Sequence, residues 1–228
     1  QLEKRKLRLD NWQHAPVAFT SPEAEAKYKE RIGRLRKAYD LEHPDRIIAD
    51  LSMGAGEYAL RRKGLNGRDI LYNHDKLFDP IVAFNEEFQP DVAVTAFPYP
   101  GRIMDLLDFK TYIWSGQKLP DNLVIQAVEG EYMNGNEYAD FAADPTAFFM
   151  KTYLPRAYGA LGGLSMMPNF PVISEIVDVL GLVIPFGLPP VQEALHKLME
   201  AGNAAMGLMP ILGGFNVKLA GSGFPSMS

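Results

Sequence analysis

The chain has no cysteine among its 228 residues, which excludes disulfides, thiolate zinc sites and a cysteine nucleophile together. Positive charge is also scarce: 23 Lys and Arg face 28 Asp and Glu, for a net charge of -5. Phosphate binding needs clustered Lys and Arg, so no nucleic-acid partner is expected. The one basic cluster, Lys4, Arg5, Lys6 and Arg8, reads as part of a solvated terminal arm over residues 1–20. No stretch reaches the roughly 18 apolar residues of a membrane span, and QLEKRKLRLDNW lacks the apolar centre of a secretory signal. A cytoplasmic location without membrane contact is the expectation. Internal repeats and low-complexity tracts are missing as well. What is present is 47% hydrophobic residues, enough for a substantial core, in a length that holds one large domain or two small ones; a single domain over 1–228 is the expectation.

Ser21 and Pro22 have the types favoured at a helix N-cap and first turn, and Tyr28, Ile32, Leu35 and Tyr39 recur at helical spacing behind them. An apolar run at Arg46–Ser52, bounded by Pro44 and a glycine pair, predicts a buried strand. Leu77, Ile81, Phe84 and Phe88 predict a helix within Asn73–Gln89, kinked at Pro80 or restarted there with Asp79 as cap. Pro90–Pro98 reads as a second strand of the near-continuous apolar type. A short helix at PGRIMDLLD follows, then two extended pieces joined by a turn at Lys118–Asn122. Such alternation predicts an α/β protein with a parallel sheet covered by helices.

Beyond Glu131 the pattern becomes helical, with Asn134 or Asn136 as one cap and Asp144-Pro145 as another. After Arg156 charges thin out, and GLPPVQEALHKLMEAGNAAMGLM predicts a long helix with Val191, Leu195, Leu198 and Met199 inward. Met166, Met167, Met199, Met206 and Met209 read as core filler, and His196 as a core or interface residue. The strands are too few for a closed eight-stranded barrel of roughly 250 residues. Together with the end at AGSGFPSMS, which caps no element, this suggests that residues 1–228 are the N-terminal part of a larger domain, and Gln1 in place of Met suggests trimming at the start.

The order HPDRI, GRDILYNHDKLFDPIVAFNEEFQPDVAV, PGRIMDLLDFKTYIWSG, VEGEYM, EYADFAADPTAFFMKTYLPR, FGLPPVQEALHKLMEAG and GFPSMS resembles the uroporphyrinogen decarboxylase family over nearly all of the chain. It is most similar to the branch grouped with methylcobalamin-dependent methyltransferases. The resemblance implies a (β/α)8 TIM barrel, here incomplete, with its active site at the C-terminal mouth of the strands. It implies methyl transfer between a small methylated substrate and a corrinoid, with a corrinoid protein as partner and zinc ligands outside this chain. The alternative is a decarboxylase of uroporphyrinogen or another acid, which needs no cofactor. True uroporphyrinogen decarboxylases carry a signature like MRQAGR, where this chain reads LSMGAGEYALRRKG. A third reading, of another class, is a non-catalytic half-barrel that binds a protein partner or a second copy through its weakly charged last third.

Glu129 and Glu131 flank Gly130 at the end of an expected strand and would point to the same side. Facing a closed cavity, they would form a catalytic pair in which one carboxyl is raised, with Tyr132 as a wall or donor; otherwise they are a solvated strand end, with Glu131 capping the next helix. Asp50 and Tyr58 bracket the glycine turn MGAGEY, and Arg102 follows Pro100-Gly101. These three are the candidate substrate-binding residues, Arg102 as a grip for a carboxylate. GAG without a following Gly and Lys is a weak phosphate cradle. Tyr153 and Arg156 of YLPR read as a brace for a helix end. His14, His43, His74 and His196 show no zinc spacing.

Overall fold

The computed structural model describes residues 2–14, 16–51, 54–169 and 175–226. They are mostly helical, with helices α1 (Leu2–Gln13), α2 (Pro22–Tyr39), α3 (Ala55–Arg62), α4 (Gly67–Tyr72), α5 (Phe78–Phe88) and α6 (Gly101–Leu107). A hairpin of β1 (Tyr112–Trp114) and β2 (Ile125–Ala127) follows, then α7 (Tyr138–Ala143), α8 (Pro145–Phe148), α9 (Leu154–Ala157), α10 (Asp178–Val183) and α11 (Pro189–Gly221). The sheet has two strands, paired antiparallel with Ile113 opposite Gln126. The expected (β/α)8 TIM barrel and its parallel sheet are therefore overturned.

The reason lies in where the backbone hydrogen bonds go. Residues 47–51 and 93–98, both expected as strands, have no regular secondary structure and form no ladder, and Ile47 and Leu51 are exposed rather than buried. Ala49 N–H donates to the Asp91 carboxylate (2.8 Å), and Asn85 takes both polar groups of Val94, donating to its carbonyl and accepting from its N–H at 2.8 Å each. Side chains thus occupy positions that a neighbouring strand would fill. Two backbone bonds remain, from Asp91 N to Ala49 O and from Ala93 N to Pro225 O, both 2.8 Å.

The chain divides into two compact units, Gln1–Tyr99 with Met209–Ser228, and Pro100–Leu208. In the first, α2 begins as expected: Ser21 Oγ accepts from Ala24 N–H (3.2 Å), with Pro22 in the first turn. Tyr28, Ile32 and Leu35 are buried, and so are Arg31 and Arg34. Arg31 donates to Pro90 O (2.8 Å), Gly223 O (2.7 Å) and Gln89 Oε1 (2.8 Å), and its guanidinium lies 4.2 Å from the Phe224 ring centre. Arg34 and Arg46 both bond Asp91, which is fully buried. Arg34 also holds Asp45 through two bonds of 2.8 and 2.7 Å. Two arginines one helical turn apart on α2 therefore pin three loop segments.

Residues 1–20, read as a solvated arm, contain α1, which is tied to α2 by Arg36 bonds to Asp10 (2.6 Å) and Gln13 (2.5 Å). Pro80 neither kinks nor restarts its helix at Asp79. Residues His74–Leu77 form a 3-10 turn, and α5 starts at Phe78, so Pro80 sits in the first turn, where a missing N–H costs little.

In the second unit, Leu107, Leu154, Leu161, Leu164, Ala194 and Ala201 form one buried cluster. The α8 to α9 stretch is a continuous helix interrupted by a π-helical turn at Phe149–Tyr153. Asp144 caps it through Ala147 N–H (2.9 Å), as its pairing with Pro145 predicts. Gly163, in the 3-10 run Gly159–Met166 that follows, is where the chain passes the start of α11, because a Cβ there would collide with Pro190 O. The long helix expected around Val191 is present and runs on to Gly221, with Val191 fully buried. Met199 is exposed, as are Met166, Met206 and Met209, so these four are not core filler.

Candidate functional site

The sequence candidates fall into different units. Asp50 and Tyr58 belong to the first, and Arg102, Glu129, Glu131 and Tyr132 to the second. Glu129 and Glu131 lie beyond the end of β2 and are exposed. The chain there is held by other groups: Tyr132 Oη donates to Lys110 O (3.2 Å), and its ring meets Tyr153 edge-on at 6.3 Å. Arg156 forks onto Glu137 (2.8 and 2.7 Å) and reaches Tyr132 O (3.1 Å). The bidentate guanidinium pulls the Glu137 carboxyl down to about 2, helped by its bond from Asn134 N–H. Arg156 is thus a brace, as read, but for the 3-10 turn at Gly135–Glu137 rather than for helix-end carbonyls. Arg102 is exposed on α6. His196 is exposed as well, 3.6 Å from Glu200 on the same helix face.

The first unit holds a cleft of about 550 Å³, and Asp50 lines it. Its apolar floor includes Leu60, Ile70 and Val92. Its polar and aromatic walls include Asp50, Glu57, Phe97, Tyr99 and Asn216. Each wall is placed by a local feature. Asp50 follows Ala49, the residue clasped by Asp91. Glu57 stands in the first turn of α3, where Gly56 lets the helix approach the 93–98 segment so closely that a Cβ would collide with Thr95 O. Its Oε1 accepts from Arg61 Nε (2.9 Å) and Nη2 (2.5 Å), while Oε2 accepts no hydrogen bond among the described residues.

Phe97 and Tyr99 lie on the same side of the chain, two residues apart, and their rings meet edge-on at 5.3 Å and 86°. His74 fixes the Tyr99 carbonyl. Since Tyr99 O can only accept, the imidazole donates Nε2–H to it at 2.9 Å. No Lys, Arg or His lines the cleft among the described residues. Tyr58, paired with Asp50 in the sequence reading, stays outside; it is exposed, edge-on to Phe84 at 6.2 Å. Glu57, Phe97 and Tyr99 were not singled out from sequence, although the alternation of Phe97 with Tyr99, just past the Pro90–Pro98 stretch, carried the signal.

The chain matches no family model, no curated protein and no solved structure. The resemblance to uroporphyrinogen decarboxylases therefore rests on the quoted motifs, without the barrel they imply. For the zinc implied by that resemblance, no group of three or more His, Cys, Asp or Glu comes together among the described residues. Nor is any described helix long and apolar enough to cross a membrane.

Proposed function

We propose that the first unit is a small-molecule binding module whose cleft takes a methylated ammonium compound, the donor in a methyl transfer to a corrinoid carried by a partner protein. The observation that carries this is the cleft lining: two carboxylates and an aromatic pair over an apolar floor, with no basic side chain among the described residues. Methyl groups on nitrogen are apolar outside and cationic overall, so they match aromatic faces and nearby carboxylates together. A uroporphyrinogen, whose rim carries carboxylates, would meet like charge at Asp50, and the guanidinium beside the cleft, Arg61, is already forked onto Glu57. The cleft volume lies in the range usual for small ligands. No step through zinc or the corrinoid is derived, and no group of three or more His, Cys, Asp or Glu comes together among the described residues to hold the metal.

Calorimetric titration tests the reading. Tetramethylammonium should bind, and Asp50→Asn or Phe97→Ala should weaken it about fivefold to thirtyfold, the equivalent of roughly 1–2 kcal/mol for a cation held by an aromatic face. Binding of a tetracarboxylate porphyrin with no response to tetramethylammonium would reverse the assignment.

A second reading, docking of a protein partner, is favoured by the run Ile176–Phe186. Ile176 is 91% exposed, and Val177, Leu180 and Ile184 each exceed 60%. Contiguous apolar surface of this kind marks an interaction site. Sedimentation of the wild type against Leu180→Glu tests it: self-association abolished by the charge supports docking between copies, and a concentration-independent monomer in both removes that form of the reading.

A further inference from the structure

A second cleft, of about 460 Å³, lies within the second unit and is separate from the one described above. Its walls are largely apolar: Met150, Leu164, Met167, Phe186 and Leu195. One cation stands among them. Lys151 belongs to the π-helical turn at Phe149–Tyr153, where an extra residue in the turn displaces side chains from the positions a regular helix gives them.

The Lys151 ammonium donates to Asn169 Oδ1 at 2.7 Å. It makes no ion pair with a carboxylate among the described residues, whereas Lys29, Lys76, Lys110, Lys197 and Lys218 each do. An ammonium has three donors, and the amide oxygen takes one of them, leaving two turned to solvent at this half-buried position. The single acid on the rim, Asp144, is committed to Ala147 N–H at the start of α8.

We propose that this cleft is a binding site for a monoanionic amphiphile, a carboxylate bearing an apolar chain. The carboxylate takes the free donors of Lys151, and the chain covers Leu164, Met167 and Leu195. The volume falls within the range of small-ligand sites, and a lining of apolar side chains with one convergent polar group is the usual makeup of such sites. A neutral alcohol would fill the space but bring the ammonium no counter-charge, and an amine would oppose it.

The test uses the full chain labelled with ¹³C-methyl methionine and titrated with sodium decanoate below its critical micelle concentration, with 1-decanol and decylamine as comparators. Decanoate should shift the Met150 and Met167 methyl signals, leave Met206 and Met209 in place, and bind about tenfold tighter than decanol, the gain of a charge-assisted hydrogen bond. Lys151→Met should erase that gap, and Lys151→Arg should keep most of it. Ala147→Trp, which fills the cleft, should abolish decanoate binding with the circular dichroism spectrum unchanged. The proposal is overturned if decanol or decylamine binds as tightly as decanoate, if Lys151→Met leaves decanoate affinity intact, or if the shifts appear at Met206 and Met209. Should the tryptophan variant not fold, the two Lys151 variants decide between these outcomes.

Discussion

Asp91 accepts from Arg34, from both terminal nitrogens of Arg46 and from Ala49 N–H, and is removed from solvent. Deleting such a carboxylate leaves Arg34 buried with one partner fewer and frees the backbone at Ala49, so Asp91→Ala should cost about 3–5 kcal/mol. Urea unfolding of the variant reads this as a lower midpoint. Carboxylates nearer the surface behave differently. Asp45 and Glu137 are each pulled down to about 2, Asp45 chiefly by its bonds from Arg34 and Glu137 chiefly by Arg156. Their folded pKa values lie below the unfolded ones, so their contribution is complete above about pH 5 and disappears as pH falls through 2. Glu137→Gln should flatten the decline in thermal midpoint between pH 5 and 2, and an unchanged slope would show that the Arg156 fork adds no pH dependence.

At the scale of elements, helices with local signals were legible. The Ser21 cap, the Asp144 cap and the Gly101–Leu107 helix all stand where their residues predict them. Ser21→Ala should cost about 1 kcal/mol, measured by chemical denaturation. The two segments expected as strands, Arg46–Ser52 and Pro90–Pro98, form none among the described residues. Val92, Val94 and Ala96 alternate inward as strand residues do, yet Asn85 and Asp91 capture the groups a ladder would use. A polar side chain that replaces a neighbouring strand leaves no trace in apolar periodicity. The same blindness hid Arg31 and Arg34, which share a face with Ile32 and Leu35 and look like ordinary helix-surface charges. Gly56 joins element to site. Gly56→Ala should push α3 away from Thr95, destabilise the first unit and weaken tetramethylammonium binding together, as differential scanning fluorimetry and calorimetry would read.

At the scale of the molecule, one tryptophan falls in each unit, Trp12 in the first and Trp114 in the second. Single-tryptophan variants can therefore report the units separately. Asp91→Ala should shift the urea transition seen by Trp12 further than that seen by Trp114. Equal shifts would mean that both units unfold as one cooperative block. Apolar content and helix spacing carry no mark of which segments cluster, so the two units were not legible in the sequence.

The Arg31 clamp also sets a schedule for biosynthesis. Its last partner, Gly223 O, lies 192 residues downstream, and the whole second unit is translated in between. At about 5–20 residues per second, a ribosome takes roughly 10–40 s to travel from Arg31 to that glycine. Throughout that interval one bond of the clamp cannot form. A nascent chain carrying Arg31 is thus exposed to chaperones and proteases until the final turn of α11 has emerged from the exit tunnel.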